Sequence, residues 1–193
     1  MALAFYKAEK PRTIGMQVRA TRCSSEKLEY VNVTFHVLTG IGVAASLSPR
    51  KPPVSRIAVV AGLASTICLH GLLDYVPHSY PIKSSIDVAL ALLLFGAALS
   101  LAKPHLRLLL VTCFLGSILP DLIDLAPGIL NRHVGLNLPE VKLFPWHWRQ
   151  YSGSVHDGSR MAESMAAHLL VSAVALFLIW RARDRFGAWS TTR

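Results

Sequence analysis

The sequence predicts an all-α polytopic membrane helix bundle of about five transmembrane helices. Three observations lead there. Hydrophobic residues make up 52% of the 193 residues and charged residues only 16%, against about 25% charged in an ordinary soluble domain. The deficit is concentrated: apolar stretches at 31–47, 57–73, 86–102, 106–119 and 165–180 alternate with short charged or proline-rich breaks. Finally, five such helices buried in a soluble protein would leave almost no amphipathic face for water. A span needs about 20 mostly apolar residues, with about 17 as the lower limit. Several stretches are therefore marginal and must extend into their polar flanks or sit where the bilayer thins.

Residues 1–30 are polar and basic, with Lys7, Lys10, Arg12, Arg19, Arg22 and Lys27 but without the apolar core and cleavage site of a signal peptide. They are expected to form an arm on the membrane surface. The bundle is expected over 31–182. Its first helix begins near Val31 and is closed by Pro49, Pro52 and Pro53. The second runs over about 55–75 and stops at Pro77; the third starts near Ser84 and ends before Pro104. The fourth covers about 105–125, tolerating Pro120 and closed by Pro127. Proline lacks the amide proton and clashes with the preceding turn, which is why these breaks fall where they do. A long interfacial connection, 126–159, leads to the fifth helix, and a basic tail follows at 183–193. Cys23, Cys68 and Cys113 are too few and too scattered for a disulfide framework or a CxxC metal site. Cys68 and Cys113 are read as small apolar packing residues.

The net charge of +9 would suggest nucleic acid in a soluble protein. Here the basic residues sit at segment ends (Arg50, Lys51, Arg56; Lys103, Arg107; Arg181, Arg183, Arg185), which suits lipid headgroups and topology signals instead. Membrane lipid is the expected partner and nucleic acid is not. The short basic loops favour the cytoplasm for their side and an outward-facing opposite side, although the basic amino-terminal arm argues the other way.

Placed on this helix map, the unusual polar residues share one membrane face. His36 opens the first helix; His70, Asp74 and His78 end the second; Asp87 opens the third; Asp121 and Asp124 end the fourth. His147 and His156 precede the fifth, and Glu163 and His168 lie in its first turns. An unpaired charge at the centre of a span costs about 2.5–3.5 kcal/mol, so such a convergence asks for a common purpose. His70 and Asp74, four apart, are neighbours on one helix face, and Pro77 lets His78 turn back toward them. Asp121 and Asp124, three apart, share a face too, and paired carboxylates repel unless a cation or proton lies between them. Imidazole and carboxylate together bind zinc, manganese or iron. A His70–Asp74 pair without metal, and water-exposed helix-end carboxylates, remain the plainer alternatives. Asp87 is expected to cap the third helix with Ser84 and Ser85, and Trp146, Trp148 and Tyr151 to form an aromatic belt. His105 and His133 have no assigned partner.

At these residues the chain resembles the membrane-bound metal-dependent hydrolase family of small bacterial inner-membrane proteins. The matching pieces are Phe35-His36-Val37-Leu38-Thr39-Gly40-Ile41-Gly42, the HxxxDxxPH element from His70 to His78, and Gly116-Ser117-Ile118-Leu119-Pro120-Asp121. They span most of the membrane part. Two departures stand out. The acidic residue after the LPD aspartate follows by three positions rather than two, and the late His-Arg-Gly…His-Ser element is replaced by Trp146-His147-Trp148-Arg149-Gln150 and Val155-His156-Asp157. The resemblance implies a divalent-metal site with His36, His70, Asp74, His78 and Asp121 as ligands, zinc foremost and manganese or iron next.

On this basis the leading expectation is a metal-dependent hydrolase at the membrane interface, acting on a phospholipid or other phosphoester. Asp124 is the expected general base, and Arg149 or Lys83 the residue holding a headgroup phosphate. A non-catalytic scaffold or membrane-remodelling protein keeping a structural metal or polar cluster is the second expectation. A metal or proton transporter is the third, weakened because the middles of the helices are apolar where a carrier needs polar groups.

Overall fold

The computed structural model describes residues 33–78, 82–155 and 159–186. These form six α-helices: α1 (Val33–Leu47), α2 (Arg56–Tyr75), α3 (Ser84–Leu101), α4 (Arg107–Asp124), α5 (Ala126–Val134) and α6 (Met161–Phe186). Single 3₁₀ turns lie at Pro104–Leu106 and Pro145–His147, and the described residues contain no strand. Helices α2, α3 and α6, and α4 with the turn before it, are each long and apolar enough to cross a membrane; α1 is apolar but shorter. The molecule is a helical membrane bundle. The expected arm at 1–30 and the last residues of the expected tail, 187–193, lie outside the described residues.

Helix α1, described from Val33, is the central one. α1 packs against α2, α3, α4 and α6, and nine of its 15 residues are buried. Small residues let its neighbours come close. A Cβ on Gly40 would lie 3.0 Å from the Cys113 carbonyl oxygen of α4, and one on Gly42 would lie 3.2 Å from Ala175 Cα of α6. The α2–α4 contact is tighter: a Cβ on Gly116 would lie 2.2 Å from Thr66 Oγ1, and one on Gly62 2.7 Å from Cys113 Sγ. In lipid there is no hydrophobic force between helices, so such close packing carries the association. Cys113 is buried as expected, whereas Cys68 is exposed on the outer face of α2.

α3 buries only Asp87 and Ala91 and turns Leu92 and Leu93 outward. Asp87 does not cap its own helix. The cap position is held by Lys83 without a side-chain bond, and the Asp87 carboxylate instead faces the Thr34 amide of α1 at 3.4 Å. The Thr34 hydroxyl returns the contact by donating to the Asp87 carbonyl at 3.0 Å. The reason is burial: at 1% exposure the carboxylate needs donors from a neighbouring helix.

α2 opens on Ser55, whose hydroxyl accepts the Ala58 amide at 3.1 Å, a standard N-cap. α4 runs through Pro120 to Asp124. Pro127 does not end the chain's helical course; it sits at the start of α5, where its missing N–H would have had no partner in any case. α5 ends on Gly135 in the left-handed region, φ 70°. Asn131 then folds the following chain back, accepting the Leu138 amide at 2.6 Å and donating to the Leu138 carbonyl at 2.8 Å. The connection is thus a folded rim leading to the Pro145–His147 turn. α6 outlasts its apolar stretch and takes Arg181, Arg183 and Arg185 into its last turns, where cations suit the helix dipole.

Candidate metal centre

The ends of α2 and α4 stand side by side because glycine and threonine hold them close one turn earlier, at Gly116 and Thr66. That places His70 and Asp74 of α2 opposite Asp121 and Asp124 of α4. The Pro145–His147 turn brings in His147. Ligand atoms of His70, Asp74, Asp121 and His147 all lie within 4.8 Å of one another. His70 Nε2 is 3.2 Å from Asp74 Oδ2 and 3.5 Å from Asp121 Oδ1. His147 Nε2 is 3.0 Å from Asp74 Oδ2 and 3.2 Å from Asp121 Oδ1. The two Nε2 atoms are 3.5 Å apart.

The far side of each imidazole fixes its tautomer. His70 Nδ1 lies 2.7 Å from the Ser117 carbonyl oxygen, which only accepts, so Nδ1 carries a proton. His147 Nδ1 lies 2.9 Å from Asp124 Oδ2, and donates there likewise. Both Nε2 atoms therefore carry lone pairs in the neutral ring, aimed at two carboxylates. Four electron-rich groups around one point are stable only with a cation or two extra protons among them. A tetrahedral ion with arms of about 2.0–2.1 Å has ligand–ligand edges of ~3.3 Å; the five edges given above run from 3.0 to 3.5 Å. The donor set fits a divalent ion and balances its charge.

Of the residues expected to bind metal, the structure brings together His70, Asp74 and Asp121. His36 sits at the rim of the set. Its ring stacks on His70 with centroids 4.0 Å apart, its Nε2 is 3.2 Å from Asp74 Oδ1, and its Nδ1 is buried without a partner among the described residues. His78 is turned elsewhere. Its Nδ1 donates to the Val76 carbonyl at 2.9 Å and its Nε2 faces Ser154 Oγ at 3.0 Å. With both nitrogens engaged it has none to offer the cluster, and burial, the largest influence on it, lowers its pKa. Asp124 is not placed as a general base. Its side chain is 0% exposed, and its oxygens accept the Leu143 amide at 2.8 Å, the Phe144 amide at 2.9 Å and His147. It orients His147, as a carboxylate behind a metal-bound histidine does. Arg149 and Lys83 are exposed and take no part in the cluster.

Compared with family models, curated proteins and solved structures, the chain matches none. The site therefore stands on its own geometry.

His147 is the residue that sequence reading left out of the ligand set. It lies 23 positions beyond Asp124 in an irregular segment, and only its place on the shared face and in the stretch standing where the resembled family carries a late His-Arg-Gly element pointed to it. Backbone bonds deliver it. The Asp124 carboxylate anchors residues 143 and 144, and Lys142 Nζ donates to the His147 carbonyl at 3.1 Å. Trp146 packs across Gly71, where a Cβ would come within 2.6 Å of its ring. Farther on, the Gly153 amide donates to the Asp74 carbonyl at 2.7 Å, and the His78 amide to the Gly153 carbonyl at 3.0 Å. Gly153 must be glycine, because a Cβ there would meet the Val76 carbonyl oxygen at 2.2 Å. Burial pulls the His147 imidazole down, but the carboxylates of Asp121, Asp74 and Asp124 outweigh it and push its pKa up to about 9. Of the remaining histidines, His168 stacks on Phe35 with centroids 4.2 Å apart. His156 lies outside the described residues.

Proposed function

We propose that the His70–Asp74–Asp121–His147 cluster holds a divalent metal and that the protein is a metal-dependent hydrolase acting at the membrane interface on a phospholipid or other phosphoester. The observation that carries the metal is the pair of Nε2 lone pairs, fixed by Ser117 and Asp124, aimed at two carboxylates. When bound, the ion supplies Lewis-acid polarisation of a phosphoryl oxygen and lowers the pKa of its water. The chain's own residues have separate tasks. Ser117 and Asp124 hold the two imidazoles in register. Asp74 bridges the cluster and His36, whose Nδ1 has no hydrogen-bond partner among the described residues. Zinc is the first candidate ion, since two imidazoles and two carboxylate oxygens near tetrahedral edges suit it. The location in a bacterial inner membrane, drawn from the family resemblance, belongs to the same proposal.

One observation favours a second reading. Four protein ligands make a closed set, as in structural zinc sites, whereas catalytic sites keep a position for water. On that reading the metal staples α2, α4 and the 142–148 segment, and the protein is a scaffold. Elemental analysis of the detergent-purified protein beside a His70→Ala, Asp74→Ala double variant tests the common part. About one metal per chain, absent from a still-folded variant, is expected. No metal, even after reconstitution with zinc, manganese and iron, would end both readings. A phosphoesterase and lipase screen of the loaded protein then separates enzyme from scaffold.

A further inference from the structure

Beside the cluster the described residues line a further cavity. A cleft of about 210 Å³ runs between α1, α2 and α6, lined by Phe35, His36, Leu72, Val76, Ala167 and Val171 among others. Its walls are almost wholly apolar. Leu72 and Leu170 at its edge are 59% and 66% exposed, so it opens sideways from the bundle, on the face that meets lipid. His36 forms part of its wall. The same ring touches the cluster, with Nε2 at 3.2 Å from Asp74, and the residue is only 3% exposed.

We propose that this cleft seats an acyl chain of a membrane lipid, which enters laterally from the bilayer with its polar end at His36 and the cluster. The proposal rests on the hydrolytic reading of that cluster and gives it a substrate class. The cleft is apolar at its lipid-facing mouth and has imidazoles in its lining, His36, His78 and His168, of which His36 reaches the cluster through Asp74. A single-tailed apolar group with a polar terminus matches that lining; a water-soluble phosphoester does not. Size agrees, since an apolar cavity of about 150 Å³ already takes up benzene, while a helix of about 10–12 Å diameter is far too large to enter.

The test uses the full-length protein in phosphatidylethanolamine–phosphatidylglycerol vesicles containing a trace of phosphatidylglycerol with a diazirine on its acyl chain. After irradiation, adducts are mapped by peptide mass spectrometry and metal is measured in the same sample. Adducts are expected to concentrate on Val76, Ala167 and Val171, which are half-buried, above Leu92 and Leu93 on the fully lipid-facing side of α3. Ala167→Trp should lower cleft labelling roughly tenfold while leaving α3 labelling and metal content unchanged. Leu72→Trp, at the exposed mouth, gives the same readout should the first variant fold poorly. Labelling that simply follows exposure, or that neither tryptophan reduces, overturns the acyl seat and leaves the metal reading standing. Focused, tryptophan-sensitive labelling in protein that takes up no metal upholds the seat and removes the hydrolytic reading.

Discussion

Asp124 and Ser117 act on the candidate metal only through the histidines they hold. Removing such an outer partner typically costs about 10–100-fold in metal affinity. Asp124→Asn keeps the shape and removes the charge, so competition with a chelator should show an affinity loss in that range while saturating metal still fills the site. Loss of folding instead of affinity would mean that the bonds to the Leu143 and Phe144 amides matter more than the bond to His147. Proton competition gives a second test at the same scale. His147 titrates at about 9 in the protein against about 6.5 unperturbed, and the metal needs its bare Nε2. Metal affinity should therefore rise with pH through that interval. The sign for the metal-free protein is opposite. A raised pKa contributes stability that is fully present below about 6.5 and is lost as pH climbs through about 9. Thermal melts of chelated protein should thus fall over that interval while melts of loaded protein stay level. Parallel melts would exclude His147 as the group exchanging proton for metal.

Helices α2 and α4 carry three of the four cluster residues, and the rim segment at 142–148 carries the fourth. Gly71→Ala puts a Cβ into the Trp146 ring, and the neighbour that must move is attached to His147. Such overpacking typically costs about 1–3 kcal/mol, and metal affinity should fall with stability while helix content by circular dichroism is unchanged. An unaltered affinity would detach Trp146 from the placing of His147. The element scale also shows what was legible beforehand. Helical boundaries were readable from prolines and apolar runs, because a membrane span has to satisfy its whole backbone internally. His70, Asp74 and Asp121 were readable because spacing along a helix fixes a shared face. His147 and the turning-away of His78 were not, since both depend on where irregular backbone crosses a helix end, at Gly153 and Ser154. The Asp87 contact with Thr34 was hidden for a similar reason: propensity speaks of a residue's own helix, and burial sent the carboxylate to another one.

The whole molecule ties its rim to its bundle mainly through Asp124, the Gly153 bonds and the candidate metal. Stripping the metal should loosen 136–148 while the spans stay folded, so limited proteolysis of chelated protein should cut there several-fold faster, in line with local opening at the low-stability end of a structure. Equal cutting with and without metal would show that the polypeptide contacts suffice. One further consequence belongs to α1. Within the described residues it is surrounded by α2, α3, α4 and α6, and it buries two polar side chains, Thr34 and His36. Their partners, Asp87 on α3 and Asp74 on α2, lie on helices made later in the chain, so these polar groups are satisfied only after α2 and α3 have been synthesised.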